Sequence, residues 1–266
     1  VVFPESERRA LRAEGRAPLG FVLGAVRRGP GGATLSEATR ARPRLCAALC
    51  AFAREHVPLD AFSSVALTKN TQSPLHVDAL NCGPSCIVAF GDFDGGELWV
   101  HGRGALDVKT PQTFDGNTPH ATLPWRTPVA GERYSAIFFL HACHDRLARA
   151  DGERLADLGF RLPPRPVPYA YGAEGALEAA AAAVAADPAL RGRVLLADDA
   201  DDDDDDFVEA RPSGRDRGDL FYGAAPPRVR RVDALSDDPD DEGRAPEPAA
   251  PPFDEDEFAF DVDADG

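Results

Sequence analysis

The chain has 266 residues and a formal net charge of −16, a length that suits one large domain or two small ones. The charge is uneven: through residue 196 there are 22 Lys+Arg against 20 Asp+Glu, and beyond it 7 against 25. The body is therefore near neutral, so overall acidity does not exclude a nucleic-acid partner, and no apolar run is long enough to suggest a membrane span.

In chain order, Pro4 to Glu14 reads as a short charged helix stopped by Gly15, and Phe21–Val26 as a strand followed by a loop over Gly29–Gly32. Pro43 opens a helix whose Leu45, Ala48, Leu49 and Phe52 fall at i, i+3, i+4 and i+7, one apolar face, with Pro58 as its stop. From about 62 to 141 the texture becomes short β-rich runs broken by Gly, Pro, Asn and Asp. They are Phe62–Leu67, Leu75–Asp78, Ser85–Phe90, Glu97–His101, Leu106–Lys109, His120–Leu123 and Tyr134–His141. Strands of this length and spacing predict a sandwich or barrel. The expected fold is mainly β with flanking helices, a double-stranded β-helix (jelly roll). Gly175–Ala186 is an Ala-rich helix, and 197–266 is so rich in Asp, Pro and Gly that it cannot bury enough apolar surface to offset its ordering entropy. The expected organisation is thus a domain over 1–165, a helical extension over 166–196 and a disordered acidic tail over 197–266. Phe253, Phe258 and Phe260 in that tail read either as an acidic–aromatic docking motif or as an inert solvated segment.

Cys46, Cys50, Cys82, Cys86 and Cys143 are odd in number and include no C-x-x-C pair. This pattern reads as free thiols in a reducing intracellular compartment, nuclear or cytoplasmic, rather than a disulfide framework. The chain starts at Val1 and has no Met, which reads as an incomplete N-terminus.

The chemistry concentrates in one ordered set of residues. In His76-Val77-Asp78, strand alternation turns the imidazole and the carboxylate to one face. His120 follows a turn, Asn117-Thr118-Pro119, from which a ligand reaches across to a strand distant in sequence. Two nitrogens and one carboxylate form the facial triad that holds non-haem Fe(II) with positions open for O₂. Arg133 and Ser135 then share a strand face, a guanidinium fork and a hydroxyl matched to a carboxylate. The ordinary reading of Arg133 is a structural cation paired with Glu132 or Asp145, and Arg126 is the alternative carboxylate anchor. His141, Cys143, His144 and Asp145 are either ordinary loop residues or a zinc site that lacks a partner pair elsewhere. His101 lies on the same run as Trp99, on the surface or along a substrate path. Trp125 lies near the expected mouth, as a stacking platform or a packing residue.

The block His76–Ser85, the run Gly91-Asp92-Phe93-Asp94-Gly95-Gly96-Glu97-Leu98 and Gly131-Glu132-Arg133-Tyr134-Ser135 resemble the Fe(II)/2-oxoglutarate-dependent dioxygenase superfamily. Within it they are most similar to the TET/base-J-binding-protein branch and its algal and protist relatives. The Gly-Gly-Glu strand is also similar to prolyl hydroxylases, which usually present Lys where this chain has Arg133. The resemblance covers about residues 20–145. It implies Fe(II) on His76, Asp78 and His120, and 2-oxoglutarate as co-substrate with its distal carboxylate on Arg133 and Ser135. Asn81 is implied either as a donor to the other carboxylate or as an orienting neighbour, and a turn-capping role is equally open. The implied activity is O₂-dependent hydroxylation of a C–H bond, on a methylated base in nucleic acid. The alternatives are a peptidyl prolyl or lysyl side chain, a free small molecule, or a non-catalytic binding module on the same fold.

Overall fold

The computed structural model describes residues 1–5, 18–29, 32–128, 131–168 and 175–196. Eleven strands are defined in chain order among them. These are β1 (Leu19–Arg28), β2 (Gly32–Leu35), β3 (Ser64–Lys69), β4 (Pro84–Gly91), β5 (Asp94–Gly95), β6 (Leu98–Val100), β7 (Gly104–Leu106), β8 (Gln112–Asp115), β9 (His120–Thr122), β10 (Trp125–Arg126) and β11 (Arg133–Phe139). The helices are α1 (Glu37–Ala41), α2 (Pro43–His56), α3 (Arg149–Asp157) and α4 (Ala176–Ala186).

Six strands form one antiparallel sheet in the order β2-β1-β3-β11-β4-β8, with β11 held centrally between β3 and β4. A second sheet has the order β7-β6-β9, and its β9 edge is extended by antiparallel bridging of His76 to His120. From β3 onward the longer strands alternate between the two: β3 lies in the large sheet, 75–76 beside the small one, β4 in the large, β6 and β7 in the small, β8 in the large, β9 in the small and β11 in the large, while β5 and β10 lie in neither and pair with each other. This is the β-rich, helix-flanked architecture that the strand spacing predicts.

Alternation of side chains along each strand sorts the core into layers. Leu23, Val65, Val88, Ala136 and Phe138 point outward to Cys46, Cys50 and Ala53 of α2 and to Leu155 of α3. Phe138 is fully buried and edge-on to Phe62, so truncating it to Ala removes about 3–5 kcal/mol of stability. The opposite face of the same sheet turns Ile87, Ala89, Phe114 and Ile137 toward Leu98 and Val100 of the small sheet. Beyond the small sheet, Leu75, Trp99, Ala121 and Leu123 pack on Ala180 and Val184 of α4.

Local chemistry sets the ends. Ser36 caps α1 by accepting from the Thr39 amide (3.0 Å) while donating to the Val22 carbonyl (2.7 Å), which fastens the helix to β1. Pro43 opens α2 at a position where no amide is needed. Asn70, at φ +48°, turns the chain out of β3; its amide donates to the Arg133 carbonyl (2.7 Å) and its Oδ1 accepts from the Arg133 amide (2.8 Å).

Several expectations need correction. The Pro4–Glu14 helix falls largely on residues outside those described, and its first two residues are extended instead: Glu5 bridges Leu19 and the Pro4 carbonyl accepts from Gly20. The loop expected to run through Gly32 gives way there to β2, which pairs with β1. The strand expected over Leu106–Lys109 is displaced to Gly104–Leu106, because Asp107 turns the chain by accepting from the Lys109 amide (3.0 Å). Leu75–Asp78 forms ladder contacts only at Leu75 and His76. The tail over 197–266 lies outside the described residues.

Candidate metal centre

His76 and His120 face one another across an edge bridge. The His76 amide donates to the His120 carbonyl (3.0 Å) and the His120 amide returns the bond (2.9 Å). Each ring is then fixed by its own chain: Nδ1 of His76 donates to the Pro74 carbonyl (2.7 Å) and Nδ1 of His120 to the Thr118 carbonyl (2.8 Å). A carbonyl only accepts, so in both rings the proton is on Nδ1 and Nε2 is presented as the ligand atom. Asp78 completes the set, with Oδ1 3.8 Å from His76 Nε2 and Oδ2 3.8 Å from His120 Nε2. The ligand atoms all lie within 4.8 Å of one another, and among the described residues this is the one cluster able to hold a metal ion. The donor set of two imidazoles and one carboxylate fits a divalent first-row metal and leaves coordination positions open.

Asp78 is itself held. Its amide donates to Gly116 (2.7 Å), and Asn81 Nδ2 donates to its Oδ2 (3.3 Å) and to Ser85 Oγ (3.1 Å). Asn81 is 5% exposed and bridges His141 through its backbone. Asn117 Nδ2 donates to the Asn81 carbonyl (2.9 Å), tying the turn before His120 to the same knot. Gly116 has no room for a side chain: a Cβ there would lie 2.8 Å from Asn81 Nδ2 and 3.2 Å from Asp78 Cβ.

The three ligands border a cavity between the sheets of about 880 Å³, counting its open mouth. Its floor carries the paired hydroxyls of Thr68 and Ser135 (2.6 Å), and Ile87, Leu98, Phe114, Ile137 and Phe139 form apolar walls. Among the described residues that line it, Asp78 is the only carboxylate and there is no Lys or Arg.

Arg133 stands two residues before Ser135 on the same face of β11 and is 1% exposed, beyond the cavity lining rather than in it. Its guanidinium lies over the rings of Phe93 (5.3 Å) and Trp125 (5.1 Å), and NH2 donates to the Gly96 carbonyl (2.9 Å). Nε is buried with no partner. Burial lowers the Arg133 pKa to about 10, opposed by the charge of Glu97. Neither expected acidic mate is engaged with it: Glu132 pairs with Lys69 and Tyr134, and Asp145 with Arg146. Gly96, at φ +74°, makes room, since a Cβ there would meet Nε at 2.7 Å.

The remaining candidates separate cleanly. Arg126 is exposed on β10, opposite Asp94, and Trp125 packs against the Arg133 group. His101 is half-buried beside Trp99 and is not in the cavity lining. His144 is spanned by two bonds, donating from Nδ1 to the His141 carbonyl (2.9 Å) and accepting at Nε2 from the Val167 amide (3.3 Å), which makes it a structural tie. His141 lines the cavity, with Nδ1 accepting from the Cys143 amide (3.0 Å). Thr68 was passed over by sequence reasoning, and His141 was read there only as a loop residue or a zinc ligand, not as part of the cavity. Thr68 had a signal, because it shares strand parity with Ala66 on the inward face of β3.

No known protein family model and no curated protein matches the chain. Among solved structures, NgTET1 in complex with 5mC DNA is similar at 15% identity and a TM-score of 0.35, over 47% of this chain and 61% of that one. A 2OG-Fe(II) oxygenase family oxidoreductase from Burkholderia pseudomallei is similar at 21% identity and a TM-score of 0.37, over 55% of this chain and 76% of that one. The match spans less than two thirds of the first of these chains.

Proposed function

We propose that the protein is an Fe(II)- and 2-oxoglutarate-dependent dioxygenase built on a double-stranded β-helix. The observation that carries this reading is the pair of Nδ1-anchored imidazoles and the carboxylate converging at the head of a cavity between the sheets. The alternation of successive strands between two sheets supports the jelly-roll assignment.

In this reading His76, Asp78 and His120 hold the ion, which together with the co-substrate supplies O₂ activation for oxidation of a C–H bond. Asn81 keeps one Asp78 oxygen oriented toward the site. Arg133, just beyond the lining on the face of β11 that carries Ser135, is the candidate anchor for the distal carboxylate of 2-oxoglutarate, and its buried Nε, without a hydrogen-bond partner among the described residues, is the donor that such an anion would satisfy. Ser135 and Thr68 add hydroxyl donors on the cavity floor. The walls of Ile87, Phe114, Ile137 and Phe139 keep bulk water from the reacting atoms.

The substrate is a methylated base in nucleic acid. The resemblance to the TET/base-J-binding-protein branch supports this, as does a lining whose only acid among the described residues is the metal-ligating Asp78. An uncharged flat target fits that lining, whereas a lysyl ammonium would be buried there without a counter-charge. A base must also leave its stack to reach such a cavity. The test is to incubate the iron-loaded protein with methylated DNA and RNA oligonucleotides and with a peptide pool, then to look by mass spectrometry for gain of one oxygen. Gain on the oligonucleotides is expected; gain confined to peptides would overturn the substrate while leaving the reaction class intact.

A further inference from the structure

We propose that Gly175–Leu196 is a strap that sets the position of His76, and with it the metal affinity, without contributing a ligand; this rests on the metal reading above. The short extended run 73–76 is fastened on one side by three backbone bonds to β9: His76 to His120 and back, and the Thr122 amide to the Ser73 carbonyl (3.0 Å). On its other side the fastening belongs to the strap. The Leu75 amide donates to the Leu195 carbonyl (2.7 Å), Leu75 bridges Leu196 in parallel, and Gln72 Nε2 reaches the Arg193 carbonyl (3.4 Å).

The strap also covers the back of both histidine-bearing segments. Leu75, one residue from His76, points to the opposite face by strand parity, as do Ala121 and Leu123 beside His120. These residues are 2%, 0% and 1% exposed, and they pack with Ala180, Val184 and Val194. Within the strap, Arg191 donates through Nε (3.1 Å) and NH2 (2.7 Å) to the Ala185 carbonyl at the end of α4, which ties the turn after the helix back to it. A run whose two edges are held by different parts of the chain keeps its ligand in place only while both hold. Metal affinity and strap docking are therefore linked, and linkage is reciprocal.

The experiment uses the full chain with Co(II) as the probe, its d–d absorption reporting coordination and hydrogen exchange by mass spectrometry reporting residues 175–196. Val184→Asp places a charge in the buried strap contact, and Ala182→Asp is the control on the exposed side of α4. The expected results are Co(II) affinity at least tenfold weaker with an altered band in Val184→Asp, a change under twofold in Ala182→Asp, and recovery in Val184→Ile. Co(II) binding within twofold of wild type in a Val184→Asp chain whose strap exchanges freely would overturn the proposal alone. If Val184→Asp does not fold, the wild-type chain decides: Co(II) should slow exchange over 175–196, and exchange unaffected by bound Co(II) would overturn it. A wild-type chain that binds no Co(II) would remove the metal reading and this inference together.

Discussion

Gly116→Ala isolates the contribution of the atoms that orient the carboxylate ligand. Gly116 is not in the left-handed region, so the substitution carries no backbone strain there and its cost falls on the neighbours. The new methyl would sit 2.8 Å from Asn81 Nδ2, about 0.6 Å inside the 3.4 Å at which ordinary contact begins, and 3.2 Å from Asp78 Cβ. Asn81 Nδ2 is tethered to Asp78 Oδ2 at 3.3 Å and to Ser85 Oγ at 3.1 Å, so a shift of that size breaks or bends a bond to a charged acceptor. Such bonds are worth about 1.5–3 kcal/mol, and loss of a group that orients a metal ligand costs about 10–100-fold in affinity. The assay is Co(II) titration by absorption, set beside urea unfolding of the metal-free protein. Metal affinity should fall at least tenfold while stability changes by no more than about 1–2 kcal/mol. Wild-type affinity in a folded Gly116→Ala protein would refute the idea that Asn81 and Gly116 set the carboxylate.

Three other perturbations test separate parts of the account. Burial that lowers the Arg133 pKa to about 10, well below the ordinary guanidinium range, puts the cost of its buried charge at about 3 kcal/mol. Because the folded value lies below the unfolded one, that penalty is full at neutral pH and fades only as pH rises above about 10 toward the unfolded value. Arg133→Met should therefore leave the melting temperature of the ligand-free protein level or higher while abolishing the thermal shift given by 2-oxoglutarate; a large fall in melting temperature would refute the unpaired-charge reading. All five cysteines are buried thiols, with Cys46, Cys82 and Cys86 raised to about 11 and Cys50 and Cys143 to about 12 by burial. A chromogenic disulfide reagent at pH 8 should label none within minutes in the native state and five after denaturation, and rapid native labelling of any would contradict their placement. His144→Ala should cost about 1–3 kcal/mol in urea unfolding by orphaning the Val167 amide, while the His141 carbonyl keeps its bond from the His144 amide (2.9 Å). It should leave metal stoichiometry unchanged, and loss of metal would mean that the His141–Asp145 cluster had been misread.

The site was more legible than the sheet that carries it. His76 and Asp78 were readable as a pair only once His120 and the Arg133–Ser135 pair followed in order, since the ladder stops at His76, and His120 announced itself by a turn leading into β-rich sequence. The α2 helix was readable because Pro43 and Pro58 bracket it, but the face it buries is Cys46, Cys50 and Ala53; of the expected stripe, Leu45, Leu49 and Phe52 are half-buried at its margin and Ala48 is exposed. What escaped was structure whose stabilisation is not local. β8 is Gln-Thr-Phe-Asp, with Phe114 its one large apolar residue, and it exists because β4 offers it an edge. β2 follows a Gly-rich stretch and pairs only because Val26 and Ala25 of β1 lie opposite Thr34 and Leu35. α3 has one buried residue, Leu155, and too weak a stripe to be read without the sheet beneath it. The strap bond from Leu75 to Leu195 joins residues far apart in sequence through main-chain atoms, so no side-chain pattern encodes it. The setting of Arg133 was half readable: its inward face followed from strand register, but its place between Phe93 and Trp125 depends on tertiary packing.

The most direct test of the central claim is conversion of 2-oxoglutarate to succinate by the Fe(II)-loaded chain under air, measured alongside His76→Ala, His120→Ala and Arg133→Ala. The account predicts turnover in the wild-type protein, none above background in the two histidine variants, and turnover in Arg133→Ala recoverable only at much higher co-substrate concentration. Equal succinate formation in all four proteins, or none in a metal-loaded wild-type chain offered its methylated substrate, would contradict it.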